Sequence, residues 1–451
     1  MGLSLGELLR KVVHIGCGAF AFLLRDLLPS QAAALAVTAF LFNWQVLPRI
    51  GGRTLWRSGE RTQGYPRGIL LYPLSVLALI LYFWSAPWMA AALWGVLAFG
   101  DGSATLVGQT VGGPRLPWNR DKGWAGLAAF IVFGTVGAAC LLAWTERLPV
   151  DPSAWHAART LGVAFVTTLF CALVESLPTT LDDNFTVPLI GALVLPLVAQ
   201  TDPALLASDP GFPGRLILGL GLNLLVALAA MAAGSIDRGG ALSAVVIGTV
   251  ITASLGVGGF AVMVAFFVLG SLATRLGYRV KATRGIAQEK GGARGWRNAW
   301  ANGGVPAFLA ALAGLTSVPL HDLLVLAYAA AVATAAADTC SSEVGKAYGR
   351  RTFLITTLRP VAPGTEGAVS LEGTLGGFLG GLVVAFTGMA FGLYGAREAM
   401  LVAFAGLLGS LAESVLGTVA EERGWMGNDL LNATNTAIGA AFVCFFARVF
   451  P

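Results

Sequence analysis

The chain has 451 residues, 56% of them hydrophobic and only 12% charged, with 59 glycines and a mean hydropathy of +0.74; soluble domains carry roughly 25% charged residues. That composition describes a membrane protein, in which small residues let spanning helices approach closely, and it excludes a disordered or nucleic-acid-binding chain. The net charge of +5 therefore reads as topology.

The opening stretch, MGLSLGELLRKVVHIGCG, is interrupted by polar residues and lacks a small-residue cleavage pattern, so the first helix is expected to belong to the mature fold. Windows of about 17 to 25 apolar residues place spans near 8–28, 30–48, 68–84, 87–109, 124–145, 155–175 and 184–200. A second series follows near 214–234, 240–256, 258–274, 304–319, 322–338, 371–392, 397–418 and 430–449, about fifteen in all. The connection TDPALLASDPGFP at 201–213 divides seven helices from eight. It predicts two membrane domains, 1–205 and 206–451, in an all-α polytopic fold. Placing the N-terminus inside puts 23 of the 29 basic residues on the cytoplasmic side, as the positive-inside rule requires. No loop leaves room for a soluble domain, so the chemistry is expected at the cytoplasmic membrane face.

Five scattered cysteines without CxxC spacing give neither a disulfide framework nor a zinc site. The three histidines are too far apart in sequence for a cluster, so a metal here would take oxygen ligands, which favours Mg2+.

An internal repeat is the most informative feature. GDGSATLVGQTVGG from Gly100 aligns with ADTCSSEVGKAYGR from Ala337, pairing Asp101 with Asp338 and Gly108 with Gly345. LVESL around Glu175 resembles LAESV around Glu413, at 74 and 75 residues from the paired aspartates. An acidic and amide cluster follows each, Asp182, Asp183 and Asn184 in one half and Asn428, Asp429 and Asn432 in the other. Both sets fall on the cytoplasmic side of the predicted topology, so the repeat is parallel, giving two related units of about seven and eight helices.

Carboxylates at the ends of apolar helices are costly unless paired or coordinating. Asp101, Glu175, Asp183, Asn184, Asp338, Glu343, Glu413 and Asp429 are the candidate catalytic residues, with Asp101, Glu175, Asp338 and Glu413 as candidate Mg2+ ligands; some could instead cap helices or pair with nearby arginines. Basic and amide residues beside glycine-rich turns could neutralise a transferring phosphoryl group. These are Arg120 and Lys122 in the first half, and Lys290, Arg294, Asn298, Asn302, Lys346 and Arg350 in the second. Their bland alternative is positive-inside topology. His14, near the end of the first helix, reads more readily as an interfacial residue than as a base. No GxxxxGK[ST] motif and no kinase HRD or DFG set occurs.

The motifs RKVVHIGCG, FGDGSATLVGQTVGG, PWNRDKGWAG, ALVESLP and DDNFTVPL, across residues 8–200, resemble the phytol kinase and dolichol kinase family. That resemblance implies a polytopic enzyme using a nucleotide, characteristically CTP, to phosphorylate a long isoprenoid alcohol, with Asp101, Lys122, Glu175, Asp183 and Asn184 matching the shared polar motifs. Residues 214–451, with GSLATRLGY, RNAWANGG, AADTCSSEVGKAYG, TTLRPVAPGTEGAVSLEGTLGG, GSLAESVLG and NDLLNATNT, resemble the integral membrane family that includes plant phytyl-phosphate kinase. Gly123-Trp124-Ala125-Gly126 and Glu413 depart from the two patterns, the latter by a change that keeps a carboxylate. Together the resemblances imply a bifunctional kinase taking a prenol to its monophosphate and then to its diphosphate. The competing readings are a CTP-dependent cytidylyltransferase that makes a CDP-lipid, and a membrane transporter.

Overall fold

In the computed structural model, residues 5–50, 52, 56, 60, 65–146, 154–287, 293–421 and 424–449 are described. The chain separates into two compact units, 1–200 and 201–451. Among the described residues the fold is all-α apart from one short pair of antiparallel strands.

The N-terminal unit contains α1 (Leu5–Cys17), α2 (Pro29–Leu41), α3 (Arg67–Tyr82), α4 (Pro87–Val111), α5 (Trp124–Thr145), α6 (Ala154–Glu175) and α7 (Asp183–Val198). Its core is built where α4, α5, α6 and α7 meet around Leu93, Leu97, Phe130, Leu141 and Leu195. α4 is interrupted by a π-helical turn at Val96–Asp101, so Asp101 lies inside a long apolar helix, within the expected 87–109 span, and not at a helix end. The helices close tightly there: a Cβ on Gly100 would stand 2.9 Å from the Phe130 ring, and one on Gly134 3.3 Å from the Gly100 Cα.

The C-terminal unit contains α8 (Phe212–Ala232), α9 (Arg238–Arg275), α10 (Trp296–Gly314), α11 (Leu320–Tyr348), the strands β1 (Phe353–Leu354) and β2 (Ala368–Val369), then α12 (Leu371–Ala390), α13 (Ala396–Leu416) and α14 (Asn428–Val449). β1 and β2 pair antiparallel, Phe353 opposite Val369. α11 is the axis of this unit, with α10, α12, α13 and α14 packed on it. Its most apolar stretch is 83% buried, against 22% for α8, whose leucines face outward. The alanine run from Ala329 to Ala337 explains this position, because it presents almost no side chain to its neighbours. Glycines on those neighbours complete the contact: a Cβ on Gly377 of α12 would lie 2.7 Å from the Ala337 carbonyl, and one on Gly409 of α13 2.6 Å from Thr334. α11 continues ten residues past Asp338, so this aspartate too is inside a helix.

Among the described residues, nine helices are long and apolar enough to cross a membrane, with Arg67–Tyr82 and Asp183–Val198 as shorter apolar helices, fewer than the fifteen spans expected. The differences have local causes. Segment 8–28 passes from α1 into a 3-10 helix at Gly18–Arg25, and 30–48 passes from α2 into a π turn and a 3-10 turn containing Pro48. The expected pair 240–256 and 258–274 forms two helical arms within α9, joined at Gly256 with φ 67° and ψ −158°. At 1.5 Å per residue a straight helix of this length would extend about 57 Å, beyond the roughly 30 Å hydrocarbon layer, and only glycine adopts that junction readily.

Candidate functional site

In the N-terminal unit, Asp101, Glu175 and Asp183 each offer an oxygen within 4.8 Å of the others. Three elements bring them together: the π turn of α4, the last residue of α6 and the first of α7. A π turn shifts the helical hydrogen-bond ladder and recurs at functional sites. Here the Leu97 carbonyl accepts from His14 Nε2 at 3.0 Å, if that nitrogen carries the proton. The same nitrogen is 3.4 Å from Asp101 Oδ2, and Lys11 Nζ is 2.9 Å from that oxygen. Tyr72 supports the histidine by donating to its carbonyl at 3.3 Å and packing edge-on against its ring, and Trp94 Nε1 donates to the Tyr72 hydroxyl at 2.8 Å.

Lys122 approaches from the loop between α4 and α5. Its ammonium is 2.8 Å from Glu175 Oε1 and 3.6 Å from Asp183 Oδ2, and it also donates to the Glu175 carbonyl. The loop is fastened to the end of α6 through Ser176: Trp118 Nε1 donates to its hydroxyl at 3.0 Å and Asn119 Nδ2 to its carbonyl at 3.1 Å. Burial opposes the Lys122 charge, but the Glu175 and Asp183 carboxylates outweigh it and raise its pKa above the ordinary lysine value. Asn184 follows the N-cap Asp182, which accepts from its backbone N–H at 3.0 Å and its Nδ2 at 2.7 Å. Its Oδ1 is buried without a hydrogen-bond partner.

This centre fits a hard cation. Three convergent carboxylates are the donor type Mg2+ takes, and the ammonium groups of Lys11 and Lys122 beside them number one fewer than the carboxylates. Arg120 lies on the exposed surface of the same loop and is not drawn into the centre.

In the C-terminal unit a polar pocket is lined by Arg294, Asn298, Asn302, Asp338, Glu343, Lys346, Glu413 and Asn432. The hairpin loop adds Thr365 and Glu366, and Asn428 lies at the start of α14. Glu343 is occupied by Lys281, a buried lysine that also donates to the carbonyls of Ala273 at 3.2 Å and Thr274 at 2.8 Å. Asp429 and Arg350 are exposed and do not line the pocket. Lys290 lies outside the described residues. Among those residues, no group of three metal-binding side chains in this unit converges as closely as Asp101, Glu175 and Asp183.

The family described as integral membrane protein DUF92 matches residues 221–440. The uncharacterized membrane protein sll0875 of Synechocystis sp. is 42% identical over 44% of this chain and 76% of its own length. The chain belongs to the DUF92 family. Protein VTE6, chloroplastic, of Arabidopsis thaliana is 35% identical over 50% of this DUF92 chain and 67% of its own length. A probable phytol kinase, chloroplastic, of Triticum aestivum is 32% identical over 42% of this chain and 66% of its own length. No solved structure matches. The DUF92 match takes in Arg294, Asn298, Asn302, Asp338 and Glu413, so the pocket lies within the matched segment.

Sequence reasoning missed three charged residues. Lys11 was not singled out, although its place one turn before His14 on a helix could have marked it. Lys281 was submerged in a basic loop, and Glu366 sits in a hairpin that hydropathy does not register.

Proposed function

We propose that this protein is a two-step isoprenoid alcohol kinase, the N-terminal unit phosphorylating a prenol such as phytol or geranylgeraniol and the C-terminal unit phosphorylating the resulting monophosphate. The observation that carries the reading is the convergence of Asp101, Glu175 and Asp183 on one point with Lys122 beside them, in a chain related to a probable phytol kinase. CTP is the proposed phosphoryl donor, and the positive-inside distribution supports an N-in topology with both sites on the cytoplasmic face.

Mg2+ would be held by Asp101, Glu175 and Asp183, where it would supply charge stabilisation for the phosphates. Lys11 pairs with the Asp101 carboxylate, and His14 secures the π turn that aims it. Lys122 carries a persistent positive charge at the edge of the carboxylate cluster, suited to phosphate oxygens. Asp183, the most exposed of the three carboxylates at 32% of its side chain, is the acceptor best placed for the entering hydroxyl. The prenyl tail remains in lipid, so the fold supplies catalysis chiefly by positioning. In the C-terminal unit, Asp338 is the proposed Mg2+ ligand, Glu413 lines the same pocket, and Arg294, Asn298 and Lys346 are proposed to face the phosphates.

The test is incubation of purified protein with prenol and CTP labelled in the α or γ phosphate. Label entering lipid from the γ position supports the kinase. Label from the α position establishes a cytidylyltransferase instead, and no transfer from either position in detergent, with activity appearing only across sealed vesicles, establishes a transporter.

A further inference from the structure

Asp338 and Asp101 occupy equivalent places in the repeat, yet their surroundings differ. Asp101 has a lysine at 2.9 Å. Among the described residues, no hydrogen bond or ion pair reaches the Asp338 side chain; Lys346, two turns further along the same helix, lines the same pocket without pairing to it, and Lys281 is committed to Glu343. An ionised carboxylate inside an apolar helix without a partner is costly, and the cost is relieved by a cation or by protonation.

The lining of the pocket favours a cation. Asn432 of α14 is only 7% exposed, lines the same pocket as Asp338, and has no hydrogen-bond partner among the described residues. Asn302 of α10 is 5% exposed and donates its Nδ2 to the Asn298 carbonyl at 3.1 Å, which leaves its amide oxygen to the pocket. Glu366 brings a further carboxylate from the hairpin loop. A carboxylate inside the helix bundle, a second carboxylate and two buried amides form an oxygen donor set for a hard divalent cation.

We infer that the C-terminal unit has a divalent cation site of its own, formed by Asp338 and Glu366 with the amide oxygens of Asn432 and Asn302. This deepens the proposed second kinase step and rests on it only for the cation's role. The amides distinguish the site from the N-terminal centre, and Asn432 is its diagnostic residue: a carboxylate there adds ligand charge at nearly unchanged size.

The experiment titrates Mn2+ into the full-length protein in detergent, followed by electron paramagnetic resonance of free Mn2+, in a Glu175→Gln background that weakens the N-terminal centre. Asp338→Asn and Asn432→Ala are expected to weaken the remaining site by about tenfold or more, whereas Asn432→Asp retains or tightens it. A purely structural asparagine would not be replaced by aspartate with preserved or improved Mn2+ affinity. Unchanged binding in Asp338→Asn, or weakened binding in Asn432→Asp, overturns the assignment. Intact Mn2+ binding in protein that does not phosphorylate the monophosphate would reject the kinase step and leave the cation site standing.

Discussion

Lys11 and Asp101 are 90 residues apart in sequence and meet at 2.9 Å, with side chains only 8% and 7% exposed. Removing one member of a buried pair leaves the other charge uncompensated, at about 3–5 kcal/mol. Lys11→Met and Asp101→Asn are each expected to lower the thermal unfolding midpoint, and the double variant should lose less than the two single losses together. Strict additivity across that cycle would show that the pair is not coupled.

The two units make separable demands on chemistry. Asp101→Asn should abolish alcohol phosphorylation while added monophosphate is still converted, and Asp338→Asn should do the reverse. Product analysis by thin-layer chromatography distinguishes the outcomes; loss of both activities in either folded single variant would refute two independent sites.

The Lys122 contribution has a defined pH window. Its folded pKa lies above the ordinary 10.5, so the stability it adds is fully present below 10.5 and is lost as pH rises through the folded value. The difference in unfolding midpoint between wild type and Lys122→Met should therefore be level from about pH 8.5 to about pH 9.5, where the partner carboxylates are ionised, and narrow only in stronger alkali. A difference that disappears below pH 9 would remove the ion pairs with Glu175 and Asp183 from the explanation.

Close approach of α12 to α11 supports the C-terminal pocket. A side chain at Gly377 meets the Ala337 carbonyl, next to Asp338, so Gly377→Val should destabilise the unit by about 1–3 kcal/mol and depress monophosphate conversion. Alcohol phosphorylation, measured in the same preparation, should persist.

Much of the N-terminal centre was legible in sequence because its members sit at repeated, chemically unusual positions. A carboxylate following an apolar run, a second one 74 residues later and a lysine beside a glycine-rich turn are visible without coordinates. Lys11 was not, since nothing local distinguishes a lysine that closes a buried pair from one that marks the cytoplasmic end of a helix. Helix existence was read better than helix continuity: Asp338 stands at the end of the expected 322–338 span because polarity interrupts the hydropathy profile, while the backbone runs on through it to Tyr348. The pocket in the C-terminal unit depends on α10, α11, the hairpin and α14 meeting, and no spacing along one strand of sequence states which of their amides share a wall. Glu343 illustrates the point, since its chemistry is fixed by Lys281, 62 residues earlier.

The fastening of the Lys122 loop to Ser176 has a mechanical consequence. Trp118 and Asn119 grip the residue immediately after Glu175, so the lysine and its carboxylate are carried by one piece of scaffold. The ion pair is therefore held in register by the hydrogen bonds of its loop as well as by its own charges.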